Sequence, residues 1–302
     1  MSHLEFSYYM DMSFDKPVHD HYFTLKCLPQ DTRRQKVHQL SFEILPHEEL
    51  CETTDGYGNR VLYGNQLSEH EHFSLHMQGM VETGLDICEE KNGRDEILFR
   101  QQSLLTEPGD AILALAKKLE PDEEMEPYLK CRHLMHGLYR SFLYKPGVTN
   151  VETSAEEAAA LGKGVCQDYA HVMLSLCRLS HIPARYCTGL LLGEGLSHAW
   201  VEVCCKGYWY GMDPTNNLLV ADQYIKIAHG RDASDCQMNQ GIFTGTANQC
   251  LQINALVRED SRKYTEEENN DRRFCINRTS GRRSLSDSEN ADFTKKCQSK
   301  EE

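Results

Sequence analysis

The fold of this chain is decided by Gly162-Lys-Gly-Val-Cys-Gln-Asp-Tyr-Ala-His171, a segment that joins a glycine-flanked loop to the start of a helix. The residues that follow predict a helix from about Cys166 to Ser180, which ends before Pro183. Glycines in such a loop let the backbone approach a substrate closely. A thiol at a helix N-terminus lies beside the positive end of the helix dipole, which favours the thiolate. Cys166 is therefore a candidate nucleophile.

Two later segments supply the partners of a thiol nucleophile, Ser197-His-Ala-Trp-Val-Glu-Val203 and Gly211-Met-Asp-Pro-Thr-Asn216. His198 begins one predicted strand and Asp213 ends the next, so a hairpin brings both to one sheet edge, where the helix also brings Cys166. An imidazole can pair with the thiol, and a carboxylate can fix its tautomer. Each segment alone also fits a packed cysteine, a half-buried histidine or a turn. Their ordered combination predicts a Cys-His-Asp triad.

Five nearby residues have structural interpretations that compete with functional ones. Asp168, in the first helical turn, is expected to cap the helix N-terminus, with a role in shaping the site as the alternative. His171 is five residues past the cysteine, too far around the helix to face the same substrate, and Cys177 is expected in the core. Trp200 and Trp209 alternate with polar residues on strands, which favours core packing over a substrate groove.

The chain is predicted to contain two domains and a tail. Residues 1–105 hold period-two runs such as Phe73–Met77, separated by glycine, proline and asparagine, which is typical of an antiparallel β-sandwich-like domain. Residues 106–258 place predicted helices before predicted strands, which favours an α+β catalytic domain. Residues 259–302 are rich in charges and poor in apolar residues, so we predict a disordered tail.

The three quoted segments resemble those of the transglutaminase-like superfamily of papain-type folds, in its bacterial form. In that form, GVCQD(Y/F)AH, SHAWVEV and DPTN segments carry the triad. The first half resembles the β-rich N-terminal domain that precedes the catalytic domain in these proteins, and Asp55-Gly-Tyr-Gly-Asn-Arg60 matches its turn. Phe142–Gly147 and Gly230–Asp232 also fit the family pattern. The resemblance covers most of the chain.

The resemblance implies a role for each member of the predicted triad. Cys166 is the nucleophile, His198 the general base and acid, and Asp213 the orienting carboxylate. The reaction implied is attack on an amide carbonyl to give a thioester acyl-enzyme, with the Cys166 backbone N–H as an oxyanion donor. The segment 190–197 is shorter than in many relatives, and Ala233–Gln237 replaces a proline-rich stretch. The substrate preference of relatives is therefore not carried over.

Composition excludes several other classes of function. The chain has 302 residues and a formal net charge of −14, so a basic face for nucleic acid is not expected. No apolar run approaches the roughly 20 residues of a membrane helix, and we identify no signal peptide. The thirteen cysteines include no C-x-x-C pair, which favours free thiols in a reducing cytoplasm.

Metal and cofactor sites are not predicted. Close histidine pairs occur at His19/His21, at His70/His72 and at His133/His136, but none has a third ligand at suggestive spacing. With fourteen histidines in the chain, close pairs are expected without a function.

We therefore expect a cytoplasmic cysteine peptidase or amide hydrolase that acts on a peptide or protein amide. It is expected to bind neither nucleic acid nor membrane and to use no cofactor. A transglutaminase or protein-glutamine deamidase is the first alternative, and a catalytically silent binding module is the second. Substrate identity and oligomeric state stay open.

Overall fold

The computed structural model describes residues 1–90 and 95–260, and it is rich in β-strands. The predicted tail lies outside these residues from position 261 onward. The strands of the first half are β1 (Ser2–Leu25), β2 (Gln35–Leu45), β3 (Glu49–Thr54), β4 (Arg60–Gln66), β5 (His70–Thr83) and β6 (Glu89–Glu90).

Strand β1 organises the first half because it is long enough to join two parts of one sheet. Alternate residues such as Leu4, Phe6 and Tyr8 are buried, as a strand with one face on the core requires. Its first part pairs with β5, which pairs with β2, and its last part pairs with β4, which pairs with β3. The register shifts between Ser13 and Val18, and such bulges bend a strand. The result is an antiparallel half-barrel, which confirms the predicted β-rich first half.

The second half contains five helices and ten strands among the described residues. The helices are α1 (Asp95–Leu98), α2 (Asp110–Lys118), α3 (Pro127–Ser141), α4 (Ala155–Leu161) and α5 (Cys166–Leu179). The strands are β7 (Leu143–Tyr144), β8 (Lys163–Gly164), β9 (Ala184–Leu191), β10 (Gly193–Gly195), β11 (His198–Cys205), β12 (Tyr208–Asp213), β13 (Leu218–Leu219), β14 (Tyr224–Gly230), β15 (Asn239–Thr244) and β16 (Gln249–Glu259). Across 1–90 and 95–260, no helix combines the length and apolar character needed to span a bilayer.

A second antiparallel sheet, in the order β13-β12-β11-β9-β14, forms the centre of this half, with β6 added beside β12. Helix α5 packs on β11 and β9 and is buried along almost its whole length. Its core residues continue directly into those of the half-barrel. This helix-on-sheet layer confirms the predicted α+β class.

The last two strands return to the half-barrel. Strand β16 pairs with β1 from Leu4 to Phe14, and β15 pairs with the last part of β1. The sequence division had placed all of residues 106–258 in the second domain, whereas residues 239–259 complete the sheet of the first half. The physical reason is that β1 would otherwise present a long unpaired edge.

Side chains of the first half also hydrogen-bond to the backbone of β14. Gln35 donates to the Lys226 carbonyl and accepts from its N–H, at 2.7 and 2.8 Å. Asn59 makes the same double contact with the backbone of His229, at 2.8 and 2.9 Å. These contacts fix one edge of the second sheet against the half-barrel.

Candidate active site

Cys166 is the first residue of α5, where the backbone leaves the extended conformation of Val165. The thiol is partly exposed, so a substrate can reach it. The Asp168 carboxylate accepts hydrogen bonds from the Val165 N–H and the Thr149 hydroxyl, both at 2.7 Å. The expected cap is therefore confirmed, and it fixes the turn that presents the thiol.

The glycine that precedes this turn is required by Asp168. A Cβ on Gly164 would lie 2.3 Å from the Asp168 Oδ2 atom, so only a glycine leaves room for the capping carboxylate. Burial outweighs these hydrogen bonds and raises the pKa of Asp168. The glycine-flanked loop therefore has a structural reason besides access for substrate.

His198 lies between the thiol and Asp213. Its Nε2 atom is 2.7 Å from Asp213 Oδ2, and its side chain is 12% exposed whereas that of Asp213 is fully buried. The Cys166 thiol lies near enough to the same imidazole to help raise its pKa. Because Nε2 faces the carboxylate, Nδ1 is the ring nitrogen left for sulfur. The structure thus brings the three sequence-predicted site residues together in the order Cys-His-Asp.

The Asp-Pro-Thr-Asn segment both turns the chain and saturates the Asp213 carboxylate. The backbone N–H groups of Thr215 and Asn216 donate to Oδ1, at 2.9 and 3.2 Å. The Asn216 amide and the Tyr224 hydroxyl donate to Oδ2, at 2.7 and 2.8 Å. The segment therefore forms a turn and also holds the carboxylate of the predicted triad, so its two interpretations are compatible.

The charges of the site favour an ion pair between His198 and Asp213. Burial by itself lowers the pKa of His198, but the hydrogen bond and charge of Asp213, with the Cys166 contact, outweigh it and raise that pKa to about 9. Burial likewise raises the pKa of Asp213, and the donors around it outweigh that effect and lower it. An imidazolium at neutral pH can stabilise a thiolate and later donate a proton.

The competing candidates of the sequence lie outside this trio. His171 is buried and accepts a hydrogen bond from the Ala233 N–H, at 3.1 Å, and Cys177 is buried with its sulfur 4.0 Å from that of Cys131. Trp200 and Trp209 are almost fully buried, which agrees with core packing.

Sequence reasoning missed two tyrosine contributions. Tyr224 orients Asp213, but its position in an ordinary strand pattern carried no signal. Tyr144 lies near the Cys166 sulfur, where burial first and then the thiol raise the pKa of the phenol. Tyr144 belongs to the Phe142–Gly147 segment that fits the family pattern. That pattern marked the segment as part of the family resemblance but did not single out Tyr144.

In the fold, a histidine of one sequence pair contacts a histidine of another. His21 and His70 stack, with Nδ1 and Nε2 3.1 Å apart, and Phe14 and Phe73 contact the His21 ring. Burial and the neighbouring His70 lower the pKa of His21 to about 4. Within 1–90 and 95–260, one group has three clustered metal-type ligands, and it lies elsewhere, on the half-barrel.

A large open cavity is lined by residues of the half-barrel and by chain neighbours of the site residues. It has a volume of about 2320 Å³. Gln167 and Ser197, the chain neighbours of the thiol and the imidazole, line one end of it. The rest of the lining mixes apolar side chains, such as Phe23 and Leu62, with polar ones, such as Glu49 and Asn65.

Two family models match the chain. Residues 4–82 match the bacterial transglutaminase-like N-terminal region, and residues 114–214 match the transglutaminase-like superfamily core. The second match contains all three residues of the trio.

The chain is also similar to individual proteins over much or part of its length. An uncharacterized protein of Mycobacterium leprae is 28% identical over 77% of this chain and 90% of its own length. An uncharacterized protein of Mycobacterium tuberculosis H37Rv is 31% identical over 42% of this chain and 46% of its own length. A crystal structure from Cytophaga hutchinsonii, described as a candidate cysteine protease, superposes with a TM-score of 0.71 and 24% identity, covering 88% of this chain and 93% of its own. That likeness concerns the fold.

Proposed function

The chain belongs to the transglutaminase-like superfamily, and from that premise we propose that it is a cysteine peptidase or amide hydrolase. The observation that carries the proposal is the position of His198 between Cys166 and Asp213. Its Nε2 atom lies 2.7 Å from Asp213 Oδ2, and the pKa of the His198 imidazole is raised to about 9. Such an arrangement supports nucleophilic catalysis by a thiolate–imidazolium pair.

Acylation begins when the Cys166 thiolate attacks the carbonyl carbon of an amide. The carbonyl oxygen takes the negative charge, and the Cys166 backbone N–H at the start of α5 is a donor for it. The His198 imidazolium then gives its proton to the amide nitrogen, the C–N bond breaks and the amine leaves. A thioester between Cys166 and the acyl group remains.

Deacylation uses the same two side chains in reverse. Neutral His198 takes a proton from a water molecule, whose oxygen attacks the thioester carbonyl. The C–S bond breaks, and a carboxylic acid leaves with the thiolate and imidazolium restored. Asp213 stays ionised and holds Nε2, so that Nδ1 always faces sulfur.

The shape of the cavity supports a peptide or protein substrate. A volume of about 2320 Å³ exceeds the roughly 300–1,000 Å³ of usual small-molecule sites, and its lining includes Gln167 and Ser197, the chain neighbours of Cys166 and His198. We also place this activity in the cytoplasm. The cysteines among the described residues are free thiols, which supports a reducing compartment.

The test is product analysis with a peptide library under reducing conditions. We expect new amino and carboxyl termini, read by mass, and we expect them unchanged by added primary amine. Amine-dependent adducts would instead identify a transglutaminase, and a one-dalton gain on glutamine a deamidase. The protein would be a binding module if it released no product and if wild type and Cys166→Ala bound a peptide equally well.

A further inference from the structure

Three metal-type side chains meet on adjacent strands of the half-barrel. His3 belongs to β1, His38 to β2 and Glu82 to β5, and β5 lies between the other two strands. Their ligand atoms all lie within 4.8 Å of one another. We call these residues the His3–His38–Glu82 cluster; none of them belongs to the proposed active site.

The strand register explains why they meet. His3 and Glu82 are directly paired across β1 and β5, so their side chains share one face of the sheet. The register of β2 shifts between Val37 and Gln39, which makes His38 the extra residue of a bulge. Bulges turn a side chain from its regular direction, and the His38 Nε2 atom lies 3.0 Å from Glu82 Oε2.

The cluster is sheltered enough to be ordered and open enough to be reached. The His38 and Glu82 side chains are 7% and 21% exposed. A tetrahedral zinc ion with bonds of about 2.0–2.1 Å needs ligand atoms roughly 3.3 Å apart. The His38–Glu82 pair, at 3.0 Å, has nearly that spacing, and a side-chain movement of at most about 1.5 Å brings the His3 ring nitrogen to it.

We propose that His3, His38 and Glu82 bind one zinc-class divalent cation, with water as the fourth ligand. Two imidazoles and one carboxylate are a ligand set that zinc takes when one position stays open. The ion would take the place of the hydrogen bond between His38 and Glu82. Its three protein ligands would come from three adjacent strands, so it would link β1, β5 and β2. This binding site is independent of the proposed peptidase activity.

The cluster also lies at a useful place for stability. Beside His3, the Met1 amino group and the Ser2 hydroxyl contact the Asp222 carboxylate, at 3.3 and 3.0 Å. Asp222 is two residues before Tyr224, which holds Asp213 in the second half. A metal that fixes the start of β1 would therefore also fix this contact, and it would stabilise the folded chain by mass action.

Binding is best measured with Co²⁺ on the full chain after alkylation of its accessible thiols. Cobalt bound by sulfur absorbs strongly in the near ultraviolet, whereas cobalt bound by nitrogen and oxygen gives weak visible bands. We expect one Co²⁺ per chain with visible bands only, displacement by Zn²⁺, and a higher Tm with either ion. His38→Gln and His3→Gln should each weaken binding by at least roughly 100-fold.

His76→Gln is the matched control. His76 is an exposed histidine on the same strand as Glu82, with Ser7 as its hydrogen-bond partner. Its replacement should leave cobalt binding unchanged. Glu82→Gln keeps the shape of the third ligand without its charge, and the metal-free Tm of each variant reports whether it has folded. Wild-type affinity in His38→Gln, sulfur bands only, or no binding by the wild type would each overturn the proposal.

Discussion

At the scale of the residue, the Asp213 carboxylate is the most completely hydrogen-bonded group of the proposed site. His198, Asn216 and Tyr224 contact Oδ2, while two backbone N–H groups contact Oδ1. A carboxylate with this many donors stays ionised although it is buried. It can therefore orient His198 without competing for the proton that catalysis moves.

The first prediction concerns Asp213 and Tyr224. Asp213→Asn should favour the wrong imidazole tautomer and lower kcat/KM by about 10- to 10³-fold, less than the roughly 10⁴ of serine triads because a thiolate forms with less help. Tyr224→Phe removes one of several donors and should lower kcat/KM by about 3- to 10-fold. Steady-state kinetics on a peptide substrate measure both, and Cys166→Ala should abolish turnover. Wild-type activity in Asp213→Asn would leave a Cys-His dyad, and turnover in Cys166→Ala would refute the covalent mechanism.

The second prediction concerns thiol selectivity. Brief iodoacetamide treatment at pH 6 should label Cys166 before every other cysteine, because an imidazolium and a helix N-terminus stabilise its thiolate. Peptide mapping by mass reports the order of labelling. Cys51 and Cys250 are internal controls, since both are exposed whereas Cys166 is only partly exposed. If either is labelled first, exposure alone determines reactivity and Cys166 is not activated.

The third prediction concerns the dependence of stability on pH. The pKa of His198 rises from 6.5 to about 9 on folding, so the folded chain binds that proton more tightly. Its contribution to stability is complete below pH 6.5 and is lost as pH rises through 9. The free energy of unfolding should fall more steeply between these values in wild type than in Asp213→Asn. Denaturant titrations at several pH values measure it, and equal slopes would show that Asp213 does not raise the pKa of His198.

At the scale of the element, local patterns predicted the parts of the fold that carry the site. The glycines before Val165 and the stop at Pro183 predicted a helix from about Cys166 to Ser180, and α5 runs from Cys166 to Leu179. Helix α3 begins at Pro127, since proline suits the first helical position, and it ends at Ser141. Strand periodicity located β11 and β12 but could not reveal that Tyr224 on β14 reaches Asp213, because partners across a sheet depend on pairing order.

The fourth prediction concerns the turn into α5. Gly164→Ala should displace the Asp168 carboxylate, since the new Cβ would lie 2.3 Å from Oδ2. Loss of the cap and local overpacking should lower the free energy of unfolding by about 2–4 kcal/mol and slow the alkylation of Cys166. Gly195→Ala is the control, because nothing lies within 4 Å of its added Cβ. Equal stability of the two variants would show that the turn relaxes and that the glycine is not required by the cap.

At the scale of the whole molecule, the two halves share a sheet and are joined by side-chain hydrogen bonds. Strands β15 and β16 leave the second half and complete the sheet around β1, which the sequence could not predict because the pairing of distant strands leaves no local pattern. Asn59, within the turn that fits the family pattern, is fully buried and binds the backbone of β14. The sequence marked this turn, but only the structure explains it as a contact between halves.

The last prediction concerns that contact. Asn59→Ala leaves the N–H and carbonyl of His229 without their partner and also removes the Asp55 contact. Buried groups that lose a hydrogen bond cost about 1–3 kcal/mol each, so the free energy of unfolding should fall by roughly 2–4 kcal/mol.

Because the halves share β1 and β14 contacts, thermal unfolding of both wild type and Asn59→Ala should remain a single transition, with the Tm of the variant several degrees lower. Calorimetry measures the number of transitions and the Tm together. Asn65→Ala is the matched control, since the Asn65 amide on β4 donates to the Glu49 side chain on the neighbouring strand of the same half. Two separate transitions in wild type would show that the halves unfold independently and that the strands shared with β1 do not couple them.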